Sequence, residues 1–304
     1  MTSERRQNAV GGPTWGEVRA RAEARLGRPQ EVQWILEEAS GLDAGELLGE
    51  RDREAPDRIA RRVDERVGRR ASGEPLQYVL GSWSFRGIDL MVDQRVLIPR
   101  PETETTAGIA IEAAATAGRR RGRHDPWAGG ATSYPVAELG TGSGAIALAL
   151  AAELPDAEVW GTDASPEALA VARANVAGAG NLGVRVRLAE GSWYEALPDD
   201  LRGRLALLVS NPPYIAEGEP LPPEVSRYEP TAALVAGPTG LEAIEAVVGG
   251  APAWLHPTGF LVCEIAPHQA DAVRELARRA GFAEVDVRPD LTARDRVLVA
   301  RGHR

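Results

Sequence analysis

The chain has 304 residues, 43% of them hydrophobic and 26% charged, with a net charge of −9. That length allows about two domains with a sizeable core, the single cysteine, Cys263, excludes an intramolecular disulfide, and the acidic balance argues against general affinity for nucleic acid, which needs positive charge to neutralise phosphates. No stretch reaches the roughly 18 uninterrupted apolar residues of a membrane-spanning helix, and Met1 to Ala9 lacks the apolar run of a secretory signal; the expected location is the cytoplasm.

Residues 1–13 are polar and are expected to form a disordered tail. Apolar residues then recur at three- or four-residue spacing: Trp15, Val18 and Ala22; Val32, Ile35, Leu36 and Ala39; Ile59, Val63, Val67 and Ala71. This predicts a small helical domain over 14–75. After Pro75 the period changes to two. Trp83 and Phe85, then Ile88, Leu90 and Val92, flank Arg86-Gly87 and predict a linking β-hairpin within 76–98. From 99 to 304 helical and strand patterns alternate, the signature of an α/β domain with a doubly wound parallel sheet. An Arg- and Gly-rich stretch from Ala117 to Tyr134 reads as an inserted loop. Arginines cluster at Arg61-Arg62, Arg69-Arg70 and Arg119-Arg120-Arg121 with Arg123; they read as solvated helix faces and loop, with contact to RNA or an acidic protein surface as the alternative.

Two segments carry chemistry. Val136 to Leu139 reads as a strand, followed by Gly140, Thr141, Gly142, Ser143 and Gly144 and the helix-like run Ala145 to Ala152. Glycines between a strand and a helix let backbone amides approach a ligand at the helix N-terminus. The spacing also satisfies the dinucleotide fingerprint, with Asp163 at the end of the next strand as a ribose acceptor. Dehydrogenase and methyltransferase both fit this far, and Asp163 has the alternative of capping the helix that starts near Pro166.

The second segment is Asn211-Pro212-Pro213-Tyr214, directly after the apolar run Leu205 to Ser210. An amino group on a carbonyl or aromatic ring is a poor nucleophile because its lone pair is delocalised. Two acceptors, the Asn211 side-chain oxygen and the Pro212 carbonyl, would orient such an NH₂. The prolines stiffen the backbone, and the Tyr214 ring offers a flat face to a planar acceptor. The bland alternative is a Pro-rich turn ending a strand. Methyl transfer to a planar nitrogen uses this clamp; hydride transfer has no need of it. Strands 136–139, 158–162 and 205–210 are expected to run parallel, so the glycine loop, Asp163 and Asn211 would emerge together at their carboxyl ends.

Gly73-Glu74-Pro75-Leu76-Gln77-Tyr78, Leu97-Ile98-Pro99-Arg100-Pro101-Glu102-Thr103-Glu104, the segment Glu138 to Ala149, Ser210 to Ile215, Tyr228-Glu229-Pro230 and Arg294-Asp295-Arg296-Val297 occur in this order. In these segments the chain closely resembles the peptide chain release factor N5-glutamine methyltransferases, HemK or PrmC, over roughly residues 30–301. The resemblance implies a class I S-adenosylmethionine-dependent fold behind a helical domain that helps dock the release factor, and methylation of the glutamine in a Gly-Gly-Gln motif. It implies that Asn211, Pro212 and Tyr214 are catalytic, that Pro213, Arg100 and Glu102 join them in binding substrate, and that S-adenosylmethionine contacts Glu138, residues 140–144, Asp163, Trp193 and Asn211.

Glu138 stands where the family more often has Asp, so reach toward the methionine ammonium competes with capping of the glycine loop. Ser192 replaces the family's usual acid before Trp193, whose ring either stacks on adenine or simply fills the core. Arg100, Glu102 and Glu104 either line the cleft or complement a helix dipole. Glu229 and Arg294 sit in family-like segments with no physical argument of their own. His124, His256, His268 and His303 share no metal-ligand spacing, and no metal is expected. The other readings are a ribosomal-protein glutamine methyltransferase, an adenine-N6 nucleic-acid methyltransferase, and a silent S-adenosylmethionine-binding protein.

Overall fold

Thr14 begins the first helix with a capping box: its side chain accepts from the Glu17 N–H while the Glu17 carboxylate accepts from Thr14 N. The computed structural model describes residues 12–124 and 133–303, with side chains for 12–119 and 133–302. Of the expected disordered tail, residues 1–11 therefore lie outside the described residues, whereas Pro13 is held through its carbonyl by Ala55 N. Helices α1 (Trp15–Leu26), α2 (Pro29–Ser40), α3 (Ala44–Gly49), α4 (Asp57–Ala71) and α5 (Leu76–Leu80) follow. Their apolar stripes meet in one core containing Trp15, Val18, Ile35, Leu36, Val63 and Val67. Chain contacts define a compact unit that runs to Gly81 and takes in Pro223–Tyr228 from much later in the sequence.

One position departs from the apolar periodicity. Ala71 is exposed, and Arg70 occupies the buried slot one residue earlier. A period of 3.6 carries the face from Val67 to position 70 or 71, and the charge is tolerated there because it is paired. The Arg70 guanidinium donates to Glu31 at 2.6 Å, to Glu224 at 3.2 Å and to the Glu74 carbonyl at 2.9 Å. Arg70 is thus no solvated-face residue, and it attaches the 223–228 segment to the helices.

The second unit comprises Ser82–Pro222 and the chain from Glu229 onward. It opens with an antiparallel hairpin, β1 (Ser82–Phe85) and β2 (Ile88–Met91). Its turn, Arg86-Gly87, has positive φ at both residues, +48° and +76°, the geometry that matches the twist of paired strands. Next come α6 (Pro101–His124), β3 (Tyr134–Leu139), α7 (Ala145–Glu153), β4 (Ala157–Asp163), α8 (Pro166–Gly178), β5 (Val186–Glu190) and β6 (Leu205–Ser210). The remainder is β7 (Ile215–Ala216), α9 (Pro223–Tyr228, packed in the first unit), β8 (Val235–Gly237), α10 (Glu242–Gly250), β9 (Leu255–Glu264), α11 (Ala270–Arg279), β10 (Phe282–Pro289) and β11 (Asp295–His303).

The loop expected from Ala117 to Tyr134 is corrected in its first part: α6 continues to His124, and β3 starts at Tyr134. Arginine is a good helix former, and Gly118 suits the site because a Cβ there would lie 2.6 Å from the Tyr134 ring. The rest of that stretch, 125–132, is outside the described residues.

The main sheet has the order β10-β11-β9-β6-β3-β4-β5. β9, β6, β3, β4 and β5 are parallel, while β11 runs antiparallel to both of its neighbours. The fold is therefore a doubly wound, mostly parallel sheet with an antiparallel C-terminal hairpin. Strand order reverses between β3 and β6, and ligands in such sheets bind in the crevice outside the carboxyl ends at that switch point. β3 and β6 are buried along nearly their whole lengths, as central parallel strands require. Among the described residues no helix is long and apolar enough to cross a membrane.

Arg70 gives a direct test of the first unit. Arg70→Met leaves the carboxylates of Glu31 and Glu224 without their shared partner, and is expected to cost about 2–3 kcal/mol in urea unfolding. An unchanged unfolding midpoint would show the pair to be energetically neutral.

Candidate active site

β3 ends at Leu139, and the next five residues turn the chain into α7. Gly140, Gly142 and Gly144 have φ of +74°, +54° and +82°, conformations that disfavour any residue with a Cβ. Gly140 N and Thr141 N donate to the Thr162 carbonyl at 2.8 and 2.9 Å, which anchors the turn to β4. A Cβ on Gly142 would meet nothing within 4 Å, so the backbone there faces open space.

Glu138, at the end of β3, is buried. One carboxylate oxygen, Oε2, accepts from the Thr141 hydroxyl at 2.6 Å and from Ala147 N at 2.8 Å. It thereby caps an otherwise orphaned N–H in the first turn of α7. Burial pushes its pKa up to about 8, against those two hydrogen bonds.

Asp163 ends β4. Its Oδ2 accepts from Gly142 N at 2.8 Å and its Oδ1 from Ser165 N at 2.9 Å. It does not cap α8: that position belongs to Ser165, whose hydroxyl accepts from Ala168 N at 3.1 Å. Asp163 instead ties the glycine loop to the turn after β4. Trp193 lies beyond β5 with φ of +48°, a left-handed conformation that costs a bulky residue about 1–2 kcal/mol. The Thr162 hydroxyl holds it there by donating to its carbonyl at 3.0 Å, and its ring lies 3.8 Å from where a Gly140 Cβ would be.

Asn211 follows β6. Ser210 immediately before it is fully buried and donates to the Leu139 carbonyl at 2.7 Å, locking the end of β6 to that of β3. Asn211 Nδ2 donates to the Thr103 hydroxyl at 3.1 Å. Pro212 is buried, and the Tyr214 carbonyl accepts from Gln269 Nε2 at 3.0 Å, so the clamp is braced on its far side. The Tyr214 phenol is pushed up to about 12, by burial first and then by the nearby Glu264 charge; it is neutral throughout the physiological range.

These groups surround one cavity of about 380 Å³. Glu138, Gly140, Thr141, Gly142 and Ser143 line one side, Asp163, Ser192 and Trp193 a second, and Asn211, Pro213 and Thr103 a third. Gly144, Pro212 and Tyr214 support the wall without lining it. Arg100 and Glu102 do not line it either. Arg100 is paired with the buried Glu229, and Glu102 accepts from Arg294 at 3.3 Å.

Glu229 and Arg294 thus acquire a physical account that their sequence positions lacked. Glu229 also accepts from Ile98 N at 3.1 Å, and so joins the 97–100 segment to the 230–233 segment, both of which border the cavity. Thr103 and the buried Glu264 escaped the sequence reading, because a threonine in an acidic helix start and a carboxylate ending an apolar strand give no pattern.

Two family models match: the PrmC N-terminal domain over residues 17–81 and the methyltransferase small domain over 130–223. The chain is 41% identical over 274 residues to the release factor glutamine methyltransferase of Geobacter sulfurreducens, covering 89% of this chain and 88% of that protein. It belongs to the release factor glutamine methyltransferase family. The Moorella thermoacetica member of that family is 41% identical, covering 93% of this chain and 95% of its own. Among solved structures, the hMettl16 catalytic domain in complex with a MAT2A 3′UTR hairpin aligns over 99% of this chain and 96% of its own with a TM-score of 0.53 at 16% identity, a likeness of fold.

The buried carboxyls set a pH dependence. Unfolded Glu138 and Glu264 ionise near 4.5, whereas folded they hold their protons to about 8 and about 7. Between these values the unfolded chain binds fewer protons, so stability falls as pH rises through that window. Urea unfolding midpoints are expected to decline from about pH 5 to about pH 8, and Glu138→Gln is expected to flatten the decline; a stability that rises over this window would contradict the burial of uncompensated carboxyls.

Proposed function

We propose that this chain transfers a methyl group from S-adenosylmethionine to the side-chain amide nitrogen, N5, of the glutamine in the Gly-Gly-Gln motif of peptide chain release factors, in the cytoplasm. The observation that carries the reading is that a glycine loop, a strand-end acid and the Asn-Pro-Pro-Tyr segment border a single cavity. The residues suit an adenosyl amino acid: Gly142 leaves its backbone face open, Asp163 keeps lone pairs beyond those it gives to two backbone amides for ribose hydroxyls, and the Trp193 ring offers a flat face for adenine. An ammonium beside Glu138 would stabilise the carboxylate that burial disfavours.

S-adenosylmethionine supplies a sulfonium methyl whose departure leaves a neutral thioether, S-adenosylhomocysteine. The work of the protein is positional. The Asn211 oxygen and the Pro212 carbonyl accept the two hydrogens of the glutamine NH₂ and aim its nitrogen along the line of displacement. The methylated nitrogen is strongly acidic and loses its proton to solvent or a carbonyl, so no basic side chain is needed. The neutral Tyr214 backs the wall against which the planar amide is held.

The helical unit, 14–75 in the sequence reading, would grip the body of the release factor. A groove of about 290 Å³ in that unit is lined by Trp15, Leu36, Leu47 and Leu48 together with Arg19, Gln33 and Arg51, and Leu48 is 71% exposed, an apolar anchor among polar groups of the kind protein contacts use. Leu48→Asp is therefore expected to lower kcat/KM for intact release factor about tenfold while leaving a short Gly-Gly-Gln peptide unaffected; equal effects on both would remove the docking role.

The reaction itself is tested by incubating the protein with methyl-labelled S-adenosylmethionine and, separately, purified release factor, ribosomal protein and DNA. Label is expected on release factor glutamine, and Asn211→Ala is expected to lose roughly 10²-fold or more of that rate with a smaller loss of S-adenosylmethionine affinity by calorimetry. Label on ribosomal protein or DNA alone, or a variant within about threefold of wild type, would overturn the assignment.

A further inference from the structure

Thr103 stands at the start of α6, between Asn211 and a buried carboxylate. Thr103 is 4% exposed and Glu264 1%. Thr106, one turn on and on the same helix face, donates its hydroxyl to Glu264 Oε2 at 2.9 Å. Thr106 and Thr103 both favour the ionised form of Glu264 against its burial, Thr106 through that direct bond. A carboxylate only accepts, so a Thr103 hydroxyl that favours the charge turns its hydrogen toward Glu264. With its one hydrogen spent, Thr103 only accepts from its other neighbour, and that neighbour is Asn211 Nδ2 at 3.1 Å. The NH₂ end of Asn211 is therefore drawn to Thr103 and its carbonyl end is turned away.

We propose that Thr103 is a positioning residue which, polarised by Glu264, fixes the Asn211 amide with its oxygen toward the acceptor nitrogen. The inference rests on the amide-methylation reading above. A flipped Asn211 would point N–H groups at the hydrogens of the substrate NH₂ and repel it. The polarity runs one way: Asn211 donates to Thr103, whose own hydrogen is drawn toward the Glu264 charge. Nothing else in the segment dictates the sense of the amide, because the two ends of an Asn side chain have the same shape.

That polarity depends on the charge of Glu264. Burial pushes its carboxyl up to about 7, opposed by Thr106, Thr103 and the Arg296 guanidinium and assisted by the Glu102 charge. The Tyr214 phenol and the Cys263 thiol also feel its charge and are both held neutral, chiefly by burial. Protonated Glu264 gains a donor, keeps only weaker acceptor capacity and loses the charge that orients the Thr103 hydroxyl. Thr103 is then free to donate toward Asn211, and the bias on the amide is lost. Methyl transfer is accordingly expected to rise with pH through about 7.

Three variants test this, read by side-chain exchange and by turnover, with cofactor affinity and circular dichroism as controls. Thr103→Val keeps the shape and removes the hydroxyl; Thr103→Ser keeps the hydroxyl; Glu264→Gln removes the titratable charge and puts donors beside the remaining acceptor oxygen. In wild type the Asn211 side-chain NH₂ is expected to show slowed solvent exchange by ¹⁵N NMR, lost in Thr103→Val and retained in Thr103→Ser. With release factor as substrate, Thr103→Val and Glu264→Gln are expected to lower kcat by about tenfold or more, with S-adenosylmethionine affinity within about threefold and near-wild-type circular dichroism. Thr103→Ser is expected to recover most of the rate, and the acid limb near pH 7 is expected to vanish in Glu264→Gln. Overturning results are an unchanged kcat in folded Thr103→Val, a Thr103→Ser as impaired as Thr103→Val, or an Asn211 NH₂ whose exchange ignores both substitutions. A wild type that methylates no glutamine would fell the functional reading, while the exchange data would still decide the orientation of Asn211.

Discussion

An asparagine amide presents an acceptor at one end and two donors at the other in nearly identical shape, and the proposed chemistry tolerates only one of the two orientations. Most of the second unit can be understood as the frame for that choice. β6 delivers Asn211 to the switch point, and Ser210 ties its end to the end of β3. α6 brings Thr103 to the amide nitrogen, and Gln269 pins the Tyr214 carbonyl from the other side. The two prolines remove backbone freedom between these anchors. A planar nucleophile gains rate from alignment more than from acid or base catalysis, and this wall is rigid where alignment is set.

The same site stores electrostatic cost. Glu138 and Glu264 are carboxyls in apolar surroundings, raised to about 8 and about 7 mainly by desolvation. Neither forms an ion pair, although the Arg296 charge acts on Glu264, whereas Glu229 is bonded to Arg100 and Asp290 accepts from Thr292 and the Arg294 backbone. The contrast sorts the acids by task. Glu229 and Asp290 are paired and brace the segments around the cleft; Glu138 lines the cavity and is held by a hydroxyl and a backbone N–H, and the buried Glu264 accepts from the Thr106 hydroxyl.

The parts of the fold written as periodicity were legible in the sequence. The helical stripes from Trp15 to Val67, the hairpin about Arg86-Gly87, and the strands bearing the glycine loop, Asp163 and Asn211 follow from spacing and turn chemistry. Cys263 lies in the core, as its apolar neighbours imply. What escaped depended on pairing across long sequence separations. Arg70 reads as a surface charge until Glu31 and Glu224 are beside it, 39 and 154 residues away. Thr103 reads as an ordinary helix-start residue until Asn211, 108 residues on, is placed against it. The cap of α8 was assigned to Asp163 as one alternative, but Ser165 fills it, which leaves Asp163 to bridge loops. α6 outran the expected loop because Arg residues extend helices as readily as they populate loops.

The most direct test of the account is a crystal structure with S-adenosylhomocysteine and a glutamine-bearing Gly-Gly-Gln peptide, at a resolution that distinguishes amide nitrogen from oxygen through its hydrogen-bond network. The account predicts the glutamine Nε2 within hydrogen-bonding distance of both the Asn211 oxygen and the Pro212 carbonyl, with Asn211 Nδ2 still on Thr103. A glutamine amide bound away from Asn211, or an Asn211 that turns its nitrogen toward the substrate, would contradict it.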